Sequence, residues 1–451
     1  MIKKLFRQLR EPGNLKILIF HSSWSLTLGS GFSYFFGLLR DRIFAHTFGL
    51  SRTLDIYNAA FTIPDMILGV FVGTALSAAF VPIFLKLYDE KKSLGFTYTH
   101  QMITWGLGLM TAAGIVIMIT LPNFAHLLVP GFSPEELDKY ILLTRIMLIS
   151  PILFTISNTY GRVLISVKEF FWFGIAPALY NIGIIFGLIF LFPIFGIAGL
   201  AMGTIIGAFL HLLNRFIPLK KKKYNFKNKI DFKFSPEIKE TIKLMLPKMF
   251  QYAMWFIMLM AFTAIASELS EGSVAAYNYA RNFMSLPVSL LGIAIAMAMY
   301  PTLSHDAGKG NFKKFRQDFK KNRLRSIVYT TLSAIVLAIL SKFVVGLLLG
   351  GGEFKQADID LLASVLMVYC IAIPLESLMH AYHRAYYSLK NTIIPALLHT
   401  IIIIATIVTA KTLAVDIGIY AIPVSFAGWL FIQVNILALV FPLVLKKRES
   451  L

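Results

Sequence analysis

Apolar and polar positions along this chain do not alternate in short strand-like stretches. They fall into long apolar runs separated by short polar connections. Twelve runs can be marked, at about 17–42, 54–86, 98–121, 139–165, 171–192, 196–218, 237–267, 273–303, 326–349, 359–388, 392–412 and 416–445. A helix needs roughly 20 apolar residues to cross a hydrocarbon core of about 30 Å, and each run reaches that length. Inside lipid the backbone must satisfy its own hydrogen bonds, so the pattern predicts helix in every run. The expected fold is an all-α polytopic membrane protein of twelve transmembrane helices. The first run, from Leu15 to Leu39, has no small-residue cleavage site after a short core and reads as a retained span.

The polar connections alternate in charge. Lysine and arginine crowd the N-terminus (Lys3, Lys4, Arg7, Arg10, Lys16), residues 86–92, Arg162 and Lys168, the 215–243 segment, residues 309–325, Arg384 and Lys390, and the tail Lys446–Arg448. The connections between them are poor in basic residues. The 122–138 connection carries Glu135, Glu136 and Asp138, 267–273 carries Glu268 and Glu271, and 350–360 carries Glu353, Asp358 and Asp360 against Lys355. The excess of basic residues on cytoplasmic loops then places both termini in the cytoplasm, which requires an even number of spans.

Composition adds a limit. Of 451 residues, 57% are hydrophobic and 15% charged, which excludes an ordinary soluble enzyme and a disordered chain. The net charge of +20 would suggest nucleic acid in a soluble protein, but the basic loops account for it here. The single Cys370 leaves no disulfide within the chain and no thiolate metal site, and no cofactor motif stands out. His380 and His383 form an i, i+3 pair without a third ligand nearby, and they read as surface-facing rather than as a metal site.

The two halves repeat one another. Ile63-Pro64-Asp65-Met66-Ile67-Leu68-Gly69 echoes Leu286-Pro287-Val288-Ser289-Leu290-Leu291-Gly292. Phe80-Val81-Pro82 echoes Tyr300-Pro301, Arg162-x3-Ser166-x-Lys168 echoes Arg384-x3-Ser388-x-Lys390, and Pro177-Ala178-Leu179 echoes Pro395-Ala396-Leu397. This divides the chain into an N-terminal six-helix lobe (1–219), a basic cytoplasmic linker (220–235) and a C-terminal six-helix lobe (236–451). Six helices return the chain to its starting side, so the repeats are parallel. Such pseudo-symmetric lobes are expected to enclose a central cavity and to rock about it. Pro64 and Pro287, inside long spans, read either as hinges or as static kinks.

Ionisable groups within spans are costly and seek a partner or a polar cavity. Arg40, Asp41 and Arg42, Asp55 and Asp65, Arg145, Lys248, Arg281 and Glu376 are the candidates. Arg40 and Arg281 occupy early positions in the two halves, and their planar guanidinium forks suit a pyrophosphate. Arg40 reads equally as a salt bridge to Asp41 or Asp55, and Arg281 as one half of a buried pair. Arg145 reads as an anchor for its span, Lys248 as a snorkelling lysine, and Glu376 as the partner of a nearby cation.

Gly37-Leu38-Leu39-Arg40-Asp41-Arg42-Ile43-Phe44-Ala45-His46-Thr47-Phe48-Gly49 carries a specific resemblance. With Asp55, Ala60-Phe61-x2-Pro64, Ala79-Phe80-Val81-Pro82, Val129-Pro130-Gly131-Phe132, Leu143-Thr144-Arg145-Ile146-Met147, Tyr300-Pro301-Thr302-Leu303-Ser304 and Arg384-Ala385-Tyr386-Tyr387, the chain resembles the MurJ/MviN family. These are lipid II flippases of the multidrug/oligosaccharidyl-lipid/polysaccharide exporter superfamily. The resemblance covers nearly the whole chain. It implies movement of an undecaprenyl-pyrophosphate-linked peptidoglycan precursor from the inner to the outer leaflet of the bacterial cytoplasmic membrane. It also implies alternating access and no enzymatic step.

The same resemblance assigns Arg40, Asp41 and Asp55 to substrate-binding positions. Arg281 stands one residue before the family's arginine position in span 8, which Asn282 occupies. Tyr34, Leu68, Gly73 and Phe262 replace charged residues common in the family, and the family usually has fourteen spans against the twelve marked here. Lipid II, membrane lipids and cell-wall synthesis proteins are the implied partners. The alternatives are a related polysaccharide-lipid flippase, a drug or cation antiporter of the same superfamily, and a non-transporting scaffold.

Overall fold

The computed structural model describes residues 15–226 and 230–449; the basic cluster Lys3, Lys4, Arg7 and Arg10 lies outside the described residues. Among the described residues the secondary structure is helical, with one isolated bridge between Gly351 and Phe354. Among the described residues ten helical runs are long and apolar enough to cross a membrane. The last of them, Ile393–Glu449, is folded by the 3-10 turn Gly418–Tyr420 into two helices, Ile393–Ile417 and Ala421–Glu449. With the 34-residue helix Leu15–Phe48, twelve helices of spanning length result. The twelve expected spans are therefore present.

Their interruptions follow from proline chemistry. Proline donates no hydrogen bond and crowds the carbonyl four residues earlier, so a helix strains one turn before it. The second span breaks at Phe61, three residues before Pro64. The fourth breaks at Leu148, three before Pro151, and there the Ser150 hydroxyl donates to the Met147 carbonyl that the proline leaves without a partner (2.8 Å). The tenth breaks at Ile371, three before Pro374. Pro151 and Pro374 therefore act alike in corresponding spans. Wide π-helical turns follow Pro64 at Leu68–Gly73 and Pro287 at Val288–Ile293, so the repeated proline phrases carry the same local irregularity.

Several expected loops are helix. The helix Lys92–Leu128 runs past Pro122, and the basic residues of 309–325 mostly sit on the helix Phe312–Leu349. Asn311 starts the latter by accepting a hydrogen bond from the Lys314 amide (3.2 Å), which satisfies one of the donors a helix start leaves open.

The chain forms two compact units. One holds the described residues up to Phe44 with Ala60–Ala125 and Pro134–Ala253. The other holds Ala45–Ala59, His126–Ser133 and Met254–Leu451. In the first unit the helices Ala176–Phe186 and Ile197–Lys221 cross so closely that a Cβ on Gly183 would stand 2.2 Å from the Gly207 amide nitrogen. Small residues permit such close backbone packing where lipid offers no hydrophobic drive between helices.

Residues 222–226 and 230–235 lie as a strap along Lys92–Leu128 in that unit. His100 Nε2 pairs with the Asn225 carbonyl (2.9 Å), and Gln101 donates to Asp231 (2.8 Å) and accepts from Ser235 (2.9 Å). The Asp231 amide donates to Thr104 (3.2 Å), and Phe232 and Phe234 pack edge-on against Trp105. Asp231 is half-buried, and its carboxyl is held below the usual carboxylate range, first by the Gln101 side chain and then by the Lys233 amide.

Candidate functional site

Each unit places one of the two candidate arginines within a spanning helix. In the first unit Arg40, late in Leu15–Phe48, makes a bidentate contact with one Asp41 oxygen through Nε (3.0 Å) and Nη2 (2.7 Å). Its Nη1 donates to the Asn181 side-chain oxygen (3.0 Å). The pair is not dry: the Arg40 and Asp41 side chains remain 28% and 18% exposed. Asn181 follows Pro177 in Ala176–Phe186, so the proline phrase that opens the fifth span also positions the amide that steadies Arg40. The salt bridge to Asp41 is the alternative that the sequence left open, and it is formed.

In the second unit Arg281 lies on the helix Ser273–Pro287, its guanidinium 5.5 Å from the centre of the Trp255 ring. A hollow of about 40 Å³ beside it is lined by Trp255, Phe262, Tyr369, Phe426 and Glu376, so one cation and one carboxylate share an aromatic-walled space. Glu376 also stands 3.9 Å from His380. Asn282, the next residue after Arg281, is exposed. Pro287 closes the same helix and Pro64 is buried within its own short helix, each directly ahead of a π-helical stretch.

Asp55 is placed differently. It is fully buried in the second unit, and both carboxylate oxygens accept backbone hydrogen bonds, from Gly272 (2.8 Å) and from Ala275 (2.8 Å). It thus caps the helix Ser273–Pro287 from elsewhere in the chain, with its negative charge at the positive end of the helix dipole. Arg52 stands 3.6 Å from Asp55 and its amide donates to Glu271 (2.8 Å), while its guanidinium lies over Phe132. The Gly131 amide donates to Ser267 Oγ (3.2 Å), and a Cβ on Gly131 would fall 1.9 Å from the Ser267 carbonyl oxygen, so only glycine fits. His46 Nε2 pairs with the Gly350 carbonyl (2.8 Å) and its own carbonyl accepts from Glu353 (2.9 Å). The phrases around His46, Asp55 and Gly131 therefore form one latch within the second unit.

The other candidates have plain roles. Arg145 Nε donates to the Met118 carbonyl (3.0 Å), which ties two helices of the first unit, and Lys248 reaches the Ser77 carbonyl (3.4 Å). Asp65 is exposed. His383 corrects the expectation of a surface-facing pair: it is buried, with its ring 5.8 Å from that of His399. The reason is that the inner face of Ala372–Ser388 continues through His383, whereas His380 lies one turn away and is half-exposed. Groups of three or more metal-ligating side chains do not occur among the described residues.

Sequence reading missed a buried polar cluster in the first unit. Arg215 is 1% exposed, donates to the Trp172 carbonyl (2.6 Å) and lies over Phe173. His211 Nδ1 pairs with Ser157 (2.7 Å), and Asn214 donates to the same Trp172 carbonyl (2.7 Å). The available signal was His211-x2-Asn214-Arg215 inside an apolar run.

The model of the family described as "Lipid II flippase MurJ" matches residues 44–449. The chain belongs to the MurJ family. It is 26% identical over 421 residues to the probable lipid II flippase MurJ of Bdellovibrio bacteriovorus, covering 90% of this chain and 79% of that protein. It is 28% identical over 377 residues to the probable lipid II flippase MurJ of Thermotoga maritima, covering 82% and 74%. Two solved structures share the fold. One is a lipid II flippase MurJ in an inward closed conformation (TM-score 0.77, 23% identity, 94% of this chain and 90% of that one). The other is an inward-facing multidrug resistance MATE family transporter (TM-score 0.78, 14% identity, 93% and 96%). A MurJ-family chain with these spans is a multi-pass transporter of the bacterial membrane.

Proposed function

We propose that this chain carries lipid II across the cytoplasmic membrane by alternating access, with Arg40 and Arg281 as ligands of the pyrophosphate and both termini in the cytoplasm. Asp41 and Asn282 take part at the same headgroup, Asp41 by holding the Arg40 fork in place. Asp55 serves the latch, because its two oxygens are already occupied by backbone amides. The observation that most supports this reading is the partial exposure of Arg40, at 28% in a spanning helix of a MurJ-family chain. A cation that only stabilised packing would be buried against its partner. A cation that must take up and release an anion keeps access and partners that exchange.

The physical logic is simple. The isoprenoid tail remains in lipid, and only the anionic, sugar-bearing head needs a polar path. A few guanidinium groups lower the cost of that path without trapping the head. An inside-negative potential assists outward movement of negative charge by about 2.3 kcal/mol per charge per 100 mV. Pro64 and Pro287, each leading into a π-helical stretch, supply the hinges, and the two six-helix lobes joined by 220–235 are the moving parts. Release of the Asp55 latch accompanies the movement.

Proteoliposomes test the reading. Purified protein should move labelled lipid II between leaflets and leave a labelled drug cation in place. Transport of the cation and not of lipid II would favour the antiporter reading and overturn this one.

A further inference from the structure

The buried cluster around Arg215, in the first unit, has no part in the sites described so far. Arg215 sits on the helix Ile197–Lys221 among neighbours that carry no negative charge: the Trp172 carbonyl, the Phe173 ring and His211. Its Nε is buried without a hydrogen-bond partner among the described residues. A buried cation held by neutral groups is a costly way to pack a spanning helix. What it holds explains why it is there.

Arg215 clamps the short helix Phe170–Gly174. Pro177 donates no hydrogen bond, and the fifth span breaks at Ile175, two residues before it. Carbonyls ahead of such a break need donors from elsewhere. The Trp172 carbonyl takes two, from Arg215 Nη1 (2.6 Å) and from Asn214 (2.7 Å). The Gly174 carbonyl takes the Ser33 hydroxyl of the first span (2.6 Å). Gly161 leaves room for the clamp, since a Cβ there would stand 3.2 Å from the Phe173 ring and 3.4 Å from the Arg215 guanidinium carbon. The guanidinium thus holds both the peptide and a ring of the short helix, which the amide of Asn214 alone does not do.

The same short helix seats the first span. A Cβ on Gly29 would come within 2.9 Å of the Phe171 carbonyl oxygen and of the Ile175 amide nitrogen, so only glycine lets the two backbones approach there. Gly29, Ser33, Gly37 and Arg40 recur at helical spacing and share one face of the span. Further along that face a Cβ on Gly37 would stand 3.4 Å from Asn181 Nδ2, and Arg40 donates to the Asn181 oxygen (3.0 Å). Asn181 belongs to the fifth span, just beyond the Ile175 break. The short helix therefore fixes both sides of the Arg40–Asn181 contact, the helix that carries the guanidinium and the one that carries the amide.

We propose that Arg215 is a positioning residue for Arg40. By clamping Phe170–Gly174 it sets the seat of the first span and the reach of Asn181, and so aims the Arg40 fork at the phosphate. A planar fork needs close alignment, and a misplacement of about 1 Å forfeits much of a bidentate contact. Arg215 acts only through Arg40, so its role rests on Arg40 being a ligand of the pyrophosphate.

A double-mutant cycle tests this. Affinity for labelled lipid II is measured on monodisperse full-length protein in detergent, and Arg215→Met, an apolar chain without charge or fork, is combined with each arginine substitution in turn. Alone, Arg215→Met should weaken binding about fivefold. In the Arg40→Ala background it should cost nothing more, whereas in the Arg281→Ala background the two losses should multiply. A substitution that merely loosened the protein would add its loss in both backgrounds. Multiplied losses with Arg40→Ala, or unaltered affinity in Arg215→Met, would overturn the role of Arg215 and leave Arg40 as a ligand. Normal binding by Arg40→Ala would overturn both. Should Arg215→Met fail to fold, Ser33→Ala carries the same cycle, because it cuts the chain of contacts at the Gly174 carbonyl and leaves the buried cluster intact.

Discussion

Asp55 and Arg40 are both ionisable groups in spanning helices near one connection, and the structure treats them in opposite ways. Asp55 is fully buried with both oxygens on backbone amides of a helix start. Arg40 keeps 28% of its side chain exposed and bonds to the side chains of Asp41 and Asn181. Backbone donors at a helix end are fixed in place, whereas side-chain partners can rotate away. A charge held by backbone is therefore part of the architecture of a state, and a charge held by side chains is available for exchange with an anion. Arg281, over the Trp255 ring, belongs to the second kind.

The largest effect is expected where that contrast is removed outright. Asp55→Ala leaves the amides of Gly272 and Ala275 without their acceptor, a loss of about 1–2 kcal/mol from the cap. It should abolish rescue of a flippase-depleted strain while membrane insertion, checked by immunoblot of membranes, persists. Rescue at the level of the unaltered protein would show that the latch is dispensable.

A smaller effect on rescue is expected from Gly131→Ala, which strains the latch but leaves the Asp55 cap in place. Its new methyl would collide with the Ser267 carbonyl, and the overpacking should cost about 1–3 kcal/mol in a thermal melt of the purified protein. An unchanged melting temperature would mean that the latch yields easily.

On the exchangeable side, Arg281→Lys keeps charge but loses the fork and much of the stacking on Trp255. Headgroup binding should weaken by about tenfold, with Arg281→Ala and Arg40→Ala weaker still. Affinity equal to that of the unaltered protein in all three, measured with labelled lipid II in detergent, would remove both arginines from the site.

The smallest effect concerns the strap. Since the folded protein depresses the Asp231 pKa, its contribution is complete above the unfolded value and fades as pH falls through the folded one. Protection factors of the amides in 230–235, exchange rates taken relative to the intrinsic rate at each pH, should be constant from pH 8 to 5 and fall only below about pH 4. A loss of protection near neutral pH would assign the strap to other groups.

Much of the fold was legible because lipid makes the sequence plain. A spanning segment must be apolar and helical, so the twelve spans stand out, and the repeated Pro64 and Pro287 phrases mark matching irregularities. The site was legible only in part. Arg40 and Arg281 show themselves because an arginine in an apolar run has few explanations. The role of Asp55 as a cap was not legible, because its partners Gly272 and Ala275 are remote in sequence and act through backbone atoms. The strap stayed hidden for a similar reason. Residues 230–235 have no periodicity of their own, and what holds them is two polar side chains, Gln101 and Thr104, on another helix. Arg215 escaped notice because its chief partner is the carbonyl of Trp172, which no residue pattern reveals.

The most direct measurement takes lipid II affinity and lipid II translocation from the same proteoliposomes for Asp55→Asn and Arg281→Ala. The account predicts that Asp55→Asn binds within about twofold of the unaltered protein yet translocates poorly, whereas Arg281→Ala loses binding and translocation together. Loss of affinity in Asp55→Asn with affinity retained in Arg281→Ala would contradict it.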